Sequence, residues 1–254
     1  MFSFKNLKRY KNRPICIDVT SNKYLYLNDV ISFKNKISKI IDNKCIVFLI
    51  YENNLDFISI YLSILNLNIV PLILNERIHK SFLNKLEKKY KPRIIFYPNK
   101  TYLKNRFKSF SEYYSVRILK KEKFKIDKKI ALMISTSGTT GSSKNVVCSY
   151  DNLTNVSKSI SDYLKIKKND KPLMTLPMSY VYGLSVFNSH LYKCATINLI
   201  SENFLNRDFW KLIEKNKIST FPTVPYQLEI LDKIKFNKFS LDHLKYLTVA
   251  GGNT

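Results

Sequence analysis

Glycine is scarce in this chain of 254 residues: there are five, about a third of what average usage would supply. They fall in three places, with Gly138 beside Gly141, Gly183 alone, and Gly251 next to Gly252. A chain that uses glycine so sparingly is expected to keep it where no side chain fits, at positive φ or where backbone presses against a ligand. These three places are therefore the first candidates for functional positions.

Acidic residues and arginine are also few. The chain has 19 Asp and Glu against 43 Lys and Arg, a net charge of +24, and only seven of the basic residues are arginine. Such a charge favours a nucleic-acid or anionic-membrane partner. However, arginine is the residue that binds phosphates and guanines bidentately, and no RNP-like, zinc-finger or helix-turn-helix signature is present. We interpret the lysine excess as a solvated basic surface and expect no nucleic-acid partner.

Cysteine and histidine form no recognisable site. The four cysteines lie far apart, without a Cys-x-x-Cys pair, which favours a reduced, cytoplasmic compartment. The three histidines are scattered without clustered carboxylates, so no metal site built from His or Cys is predicted. His190 lies in an apolar helical pattern and is interpreted as a structural histidine with its hydrogen bonds satisfied. A Gly-x-Ser-x-Gly elbow is absent, which argues against a hydrolase triad.

Membrane segments are not favoured either. The N-terminus lacks the apolar core of a signal peptide. One stretch, residues 57–74, contains 18 uncharged residues, which is long enough to be considered as a membrane span. It is interrupted by Asn66, Asn68 and Pro71. We therefore expect a core helix followed by a buried strand, and no membrane span.

Hydrophobic periodicity alternates between the strand and helix patterns along the chain. Helices are predicted after a cap at Asn28 or Asp29, around 57–65, at 80–89, and after a cap at Asp151. Strands are predicted near residues 45–51, 69–74, 93–97, 131–136, 146–148, 173–176, 196–200, 219–221 and 246–249. This alternation predicts an α/β fold with two doubly wound, mostly parallel subdomains. We divide them as residues 1–129, ending in a lysine-rich solvated connector from 99 to 129, and residues 130–254.

A loop rich in serine, threonine and glycine follows the strand near 131–136. Backbone N–H groups in a glycine-bearing turn form an anion site, and a lysine adds positive charge. A Walker A loop has four residues between its glycines and lysine directly after the second. Here two residues separate Gly138 from Gly141, Lys144 comes three residues later, and 146–148 indicates a strand instead of a helix. Walker A is excluded, and composition alone leaves a polar hairpin without ligand as the alternative.

The order Thr136-Ser137-Gly138-Thr139-Thr140-Gly141-x-x-Lys144 closely resembles the phosphate loop of the adenylate-forming (AMP-binding) superfamily. That superfamily includes acyl-CoA synthetases, peptide-synthetase adenylation domains and luciferases. Ser143 stands where the family usually has proline. The resemblance continues in order through residues 176–184, 218–225 and 244–252, so it covers the chain from about residue 25 to its end. Tyr180 stands where the family commonly has histidine.

The resemblance implies a ligase that activates a carboxylic acid, such as a fatty acid, with ATP and Mg²⁺. An acyl-adenylate and pyrophosphate form, and the acyl group then passes to a thiol of coenzyme A or of a carrier-protein phosphopantetheine. It also implies roles for three groups of residues. Phosphate binding falls to Thr136, Ser137, Gly138, Thr139, Thr140, Gly141 and Lys144. The adenine side falls to Gly251 and Gly252, and the acyl pocket to Tyr180, Tyr182 and Gly183.

Other parts of the family pattern lie outside residues 1–254. These are a Tyr-Gly-x-Thr-Glu-like motif, a ribose-binding aspartate, and a small C-terminal domain with its catalytic lysine, so no catalytic residue is assigned. We therefore expect the N-terminal portion of such a ligase: a truncated or frameshifted product, a partial sequence of a longer enzyme, or a split subunit that needs a separate downstream fragment. Negligible adenylation by this chain alone is expected. The alternative from another class is a non-catalytic nucleotide-binding remnant.

Overall fold

The computed structural model describes residues 7–41, 43–99, 108–120, 125–135, 145–239 and 241–251. Its helices are α1 Leu27–Ser38, α2 Leu55–Asn66, α3 Lys80–Tyr90, α4 Tyr150–Tyr163, α5 Val181–Tyr192, α6 Arg207–Asn216 and α7 Pro225–Lys233. Its strands are β1 Cys16–Asp18, β2 Lys23–Leu25, β3 Ile46–Ile50, β4 Val70–Leu74, β5 Ile94–Pro98, β6 Lys108–Ser109, β7 Tyr114–Ile118, β8 Ile130–Ser135, β9 Asn145–Ser149, β10 Leu173–Met174, β11 Ile197–Leu199, β12 Thr220–Thr223 and β13 Tyr246–Val249.

The larger sheet has the strand order β6-β7-β5-β3-β4-β8-β9 within the described residues. Its four central strands are parallel, and the outer pairings of β5 with β7, β7 with β6 and β8 with β9 are antiparallel. Strands β3, β4 and β5 are buried along their whole length. Continuous apolar strands of this kind are typical of a parallel sheet covered by helices on both faces.

The second sheet has the order β10-β11-β1-β2, with β1, β11 and β10 parallel and β2 antiparallel at the edge. A parallel pair, β12 with β13, continues next to it. A bridge between Pro172 and Thr220 joins the two parts. The Ser219 amide also donates to the Lys171 carbonyl at 2.9 Å. The β12–β13 pair is therefore an extension of the second sheet.

The helices form layers around the two sheets. Helix α2 is buried from Phe57 to Leu65, and it shares one core cluster with residues of both sheets. Helix α3 packs on the outer face of the larger sheet, where Leu83 and Leu86 join a second cluster. Helix α6 covers the outer face of the second sheet through Phe209, Trp210 and Ile213. Each sheet thus has helices on both faces, which confirms the two doubly wound α/β units.

The sheets do not divide at residues 129 and 130. Strands β8 and β9 follow that point but belong to the larger sheet, whereas β1 and β2 near the N-terminus belong to the second sheet. The connector prediction also needs correction, because β6 and β7 lie within it and form an antiparallel edge of the larger sheet. Tyr114 in β7 is fully buried, and its hydroxyl donates to the Ile50 carbonyl at 2.7 Å. Strand β7 has five residues, which are too few for its alternation of buried and exposed positions to be recognised in a lysine-rich segment.

Two helix starts differ from the sequence prediction. Helix α1 begins at Leu27, and Asp29 accepts the Tyr26 N–H at 2.8 Å from within the first turn. Helix α4 is capped by Ser149 instead of Asp151, with the Asn152 N–H donating to Ser149 Oγ at 3.0 Å. Asp, Asn and Ser all suit these positions, so composition alone does not choose between adjacent candidates.

The uncharged stretch from 57 to 74 forms most of helix α2 and then strand β4, as predicted. None of the helices in the described ranges combines the length and apolar character that a bilayer-spanning helix requires.

Candidate active site

The strands beside the predicted phosphate loop lie next to each other. Strand β8 ends at Ser135 and β9 begins at Asn145, and these two residues are antiparallel partners. Ser135 Oγ donates to Asn145 Oδ1 at 2.7 Å, and Asn145 Nδ2 donates to the Tyr90 hydroxyl at 3.0 Å. The segment leaving β8 therefore returns as a strand, which agrees with the exclusion of Walker A. The predicted phosphate-binding residues, from Thr136 to Lys144, lie outside the described residues.

A cavity of about 650 Å³ lies between helices α4 and α5 and strands β12 and β13. Helix α5 lines it with three pairs of adjacent residues, and each pair is four positions from the next, so that all three share one face of the helix. These pairs are Val181 and Tyr182, Ser185 and Val186, and Ser189 and His190. Helix α4 contributes Ser159, Ile160, Tyr163 and the adjacent Leu164. The accessible wall is almost entirely apolar.

The strand wall of this cavity follows the two-residue alternation of a sheet. Thr220 pairs with Tyr246 and Pro222 pairs with Thr248, and all four line the cavity. The intervening residues, Phe221 and Leu247, pack in the opposite core with Trp210. Ala250 continues the wall just beyond the end of β13. One face of the β12–β13 pair thus lines the cavity, and the other face packs in the core.

Tyr182 is the predicted acyl-pocket residue that lines this cavity. Its hydroxyl donates to Thr248 Oγ1 at 2.7 Å and so connects α5 to β13. Burial raises the pKa of this phenol, and the hydrogen bond with Thr248 partly opposes that rise. The phenol therefore stays neutral near pH 7 and acts as a fixed part of the wall.

Tyr180 does not line the cavity between α4, α5, β12 and β13. It is half-exposed and lines a second hollow, of about 670 Å³, with residues that follow β4 and with Ser135. Its hydroxyl accepts a hydrogen bond from Asn75 Nδ2 at 3.1 Å. Arg77 and His79 line the same hollow. The structure thus places Tyr180 beside the strand end from which the predicted phosphate loop departs.

Gly183 is buried in α5 and faces backbone. A Cβ atom at this position would lie 2.4 Å from the Pro177 carbonyl oxygen and 2.7 Å from that of Leu176. No side chain can occupy that space without moving the backbone of residues 176 and 177. The expectation that glycine stands where nothing else fits is met here, but Gly183 is not among the residues that line the cavity.

Gly251 has φ +82°, a conformation that residues with a side chain rarely adopt. A Cβ atom added there would meet no atom within 4 Å, so this stretch of backbone is open on that side. It directly follows Ala250 at the end of the cavity. The adenine-side role of Gly251 stays a prediction. Gly252 lies outside the described residues.

Three polar atoms in the cavity-lining residues have no hydrogen-bond partner within the described part of the chain, although all three are buried. They are His190 Nε2, Thr220 Oγ1 and Tyr246 Oη. His190 was expected to be a satisfied structural histidine. It is buried as expected, but only Nδ1 is bonded, to the Val186 carbonyl at 2.8 Å. Sequence reasoning did not select Thr220 or Tyr246, because a Thr and a Tyr within strands carry no functional signature.

Burial keeps these groups uncharged. It lowers the pKa of His190 to about 4, even though the bond to Val186 and the nearby Asp170 act in the opposite direction. It raises the pKa of Tyr246 to about 12. Asp170 itself is buried and forms an ion pair with Lys245, and it also accepts the Lys167 N–H at 2.8 Å. A neutral polar cluster therefore lies at one end of the cavity, near this ion pair. No cluster of three His, Cys, Asp or Glu side chains suited to a metal occurs in the described ranges.

The fold is that of the N-terminal domain of adenylate-forming enzymes, as comparison with solved structures shows. The chain superposes on the o-succinylbenzoate–CoA synthetase MenE of Bacillus subtilis in complex with AMP with a TM-score of 0.76, covering 98% of this chain and 67% of that one at 15% identity. A red-emitting luciferase from Phrixothrix hirtus gives a TM-score of 0.78 over 98% of this chain and 55% of its own, at 17% identity.

The family model described as AMP-binding enzyme matches residues 39–254, and the chain belongs to this family. Among curated relatives, the 2-succinylbenzoate–CoA ligase of Lactococcus lactis is 30% identical over 210 residues, which are 81% of this chain and 46% of that enzyme. The 4-coumarate–CoA ligase-like protein 6 of Arabidopsis thaliana is 33% identical over 109 residues, 41% of this chain and 19% of that protein. The chain thus spans about half the length, or less, of these relatives.

Proposed function

We propose that this chain supplies the ATP- and acid-binding part of an acyl-CoA ligase. Its curated relatives are CoA ligases. In the proposed reaction, a carboxylate oxygen attacks the α-phosphorus of ATP and the bond to the β-phosphate breaks. Pyrophosphate leaves, and an acyl-adenylate remains. The thiol sulfur of coenzyme A then loses its proton and bonds to the acyl carbon, AMP departs, and a thioester forms.

The observation that carries this proposal is the position of the cavity. It ends at Ala250, next to the open backbone of Gly251, and Tyr182 and Thr248 are bonded close to that end. An acid in the cavity would present its carboxylate at the adenine-side turn. Two anions must meet there, so fixed positions and neutralised charge would contribute most to the rate.

Residues Thr136 to Lys144 are proposed to bind the β- and γ-phosphates through backbone N–H groups, hydroxyls and the lysine charge. Mg²⁺, when bound with ATP, would neutralise phosphate charge and orient the transferred group. Coenzyme A is the proposed acceptor, and a carrier-protein phosphopantetheine is the alternative.

The test separates binding from turnover. Calorimetry on the 254-residue chain should show ATP·Mg²⁺ binding that Lys144→Ala weakens by about tenfold, the effect of losing one charged phosphate contact. The exposed Lys158→Ala on helix α4 is the matched control, and it should bind as the wild type does. Equal ATP affinity for wild type and Lys144→Ala would contradict the proposed phosphate site.

Turnover is measured as carboxylate-dependent exchange of labelled pyrophosphate into ATP. Exchange that requires the chain and a carboxylic acid, with or without a separately expressed downstream ligase polypeptide, would support a ligase. Nucleotide binding that never couples to any carboxylate under either condition would support the non-catalytic alternative instead.

A further inference from the structure

Unpaired polar atoms in an apolar cavity are uncommon, because each costs the free energy of leaving water without a new hydrogen bond. Three residues that line the cavity between α4, α5, β12 and β13 carry such atoms beneath its apolar wall: His190, Thr220 and Tyr246. We call these residues the polar cluster. Elsewhere in the described core, buried phenols find partners: Tyr10 donates to the Ala195 carbonyl at 2.9 Å and Tyr114 to that of Ile50 at 2.7 Å. Ser179 Oγ and His243 Nε2 are also unpaired in the described ranges, but neither residue lines this cavity, so the polar cluster is distinguished by its place.

The three residues lie together at one end of the cavity. Thr220 and Tyr246 are partners across parallel strands, so their side chains stand side by side on the cavity face. His190 lines the same cavity from the C-terminal part of helix α5. Tyr182, which bonds Thr248, lies eight residues before His190 on helix α5, or about 12 Å along its axis.

The distance along strand β13 is similar to this distance along helix α5. From Tyr246 to Ala250 is four residues, about 13 Å of extended chain. The polar cluster and the adenine-side turn therefore occupy opposite ends of the cavity, with an apolar wall between them. An acid whose carboxylate lies near Gly251 would direct the far end of its acyl group toward the polar cluster.

The hydrogen-bonding pattern of the cluster selects the kind of group that it can bind. His190 Nδ1 contacts the Val186 carbonyl, which can only accept, so Nδ1 carries the ring proton and Nε2 has a free lone pair. Nε2 therefore requires a donor. The two hydroxyls of Thr220 and Tyr246 can each donate or accept. A hydroxyl on the ligand would satisfy all of these requirements, whereas a methyl group would leave every one of the atoms unpaired.

On the basis of the proposed function, we infer that the acid bound in this cavity has an apolar body and a hydroxyl group at the end far from its carboxylate. That hydroxyl group is bound by His190 Nε2, Thr220 Oγ1 and Tyr246 Oη. These atoms are covered in the unliganded structure. Binding of the hydroxyl therefore requires side chains of the cavity wall to move when the acid enters. The cluster thus acts as a specificity determinant, because it rejects acids that leave its polar atoms unpaired.

The experiment compares matched acids on the 254-residue chain by calorimetry or ligand-observed NMR. One set is rigid: 4-hydroxycinnamic, 4-methoxycinnamic and cinnamic acids. The other is flexible: 10-hydroxydecanoic and decanoic acids. In at least one set the hydroxy acid should bind about five- to tenfold more tightly than its partner without the hydroxyl, the effect of one or two net hydrogen bonds. In the rigid set, the methyl ether should lose most of this advantage, because it cannot donate to His190.

Variants assign the preference to the cluster. Tyr246→Phe and Thr220→Val keep the shape of the wall, and each should reduce the preference for the hydroxy acid while leaving the affinity for the unsubstituted acid nearly unchanged. His190→Leu should abolish the difference between hydroxyl and methyl ether. Tyr226→Phe, at an exposed tyrosine on helix α7 that is not among the cavity-lining residues, is the matched control and should keep the preference.

The outcomes separate this inference from the proposed function. Equal binding of hydroxylated and unsubstituted acids in both sets would overturn the inference and leave an acid-binding ligase site in place. A preference that survives in all three cluster variants would also overturn it, since other residues would then bind the hydroxyl. Failure of every acid to bind would overturn it together with the proposed acid site, whereas ATP binding is tested separately through Lys144→Ala.

Discussion

The Tyr182 hydroxyl donates to Thr248 Oγ1 at 2.7 Å and so joins helix α5 to strand β13 across the cavity. The two residues are separated by 66 positions in the chain, and both line the same wall. The bond lies near the turn that begins after Ala250, which is proposed to lie against the adenine. It therefore holds together the two elements between which an acyl group is proposed to enter.

Removing this bond should lower stability moderately. We expect Tyr182→Phe and Thr248→Val each to reduce the free energy of unfolding by about 1 kcal/mol, the net contribution of one partly buried hydrogen bond. Urea unfolding of both single variants and the double variant gives the coupling energy. A coupling of about 1 kcal/mol is expected. If the two effects simply add, the hydroxyls do not interact in solution.

Thr220→Val should behave differently from Thr223→Val, although both threonines are buried on strand β12. Thr223 Oγ1 donates to the Thr248 carbonyl at 3.2 Å, and replacing it should cost about 1 kcal/mol. Thr220 Oγ1 has no partner within the described ranges, so valine removes an unpaired polar atom. We expect Thr220→Val to leave stability unchanged or raise it by up to about 1 kcal/mol. Equal destabilisation of the two variants would show that Thr220 has a partner in solution.

Stability should depend on the protonation of His190. Its pKa is lowered to about 4 in the folded chain, against 6.5 when unfolded. Between these values the unfolded state binds more protons, so stability is fully present above pH 6.5 and falls as the pH drops toward 4. Over this whole range the free energy of unfolding is expected to fall by roughly 3 kcal/mol. His190→Gln should flatten this part of the profile, measured by urea unfolding from pH 7.5 to 4.5. Parallel profiles for the variant and the wild type would mean that the imidazole is hydrated and titrates normally.

Gly183→Ala should destabilise the chain, although alanine is normally the better helix residue. The added Cβ atom would lie 2.4 Å from the Pro177 carbonyl oxygen, so helix α5 or the segment before it must shift. Overpacking of this kind costs about 1–3 kcal/mol. Ser185→Ala on the same helix serves as the control, because its hydroxyl donates to the Val181 carbonyl in the preceding turn of that helix. A melting temperature for Gly183→Ala at or above that of this control would contradict the close approach.

Several features of the site were accessible from residue patterns. The scarcity of glycine marked Gly183, where the structure shows a backbone approach that excludes a side chain, and Gly251, which has positive φ. The phosphate-loop pattern and its relation to a following strand were also readable, and β9 confirms the strand. The roles of residues 136–144 stay a prediction. Tyr180 was assigned to the acyl pocket from its place in a motif; its side chain lines the neighbouring hollow, and its role also stays a prediction.

Local periodicity was sufficient to place most helices and strands, because an apolar face repeats every two or 3.6 residues whatever the rest of the chain does. Pairing between distant segments was not accessible in this way. Strand β1 pairs with β11, about 180 residues later, and β4 pairs with β8 across the expected domain boundary. Such choices depend on the packing of whole layers. The same holds for the polar cluster, since His190, Thr220 and Tyr246 meet only when α5, β12 and β13 enclose one cavity and leave their polar atoms away from water.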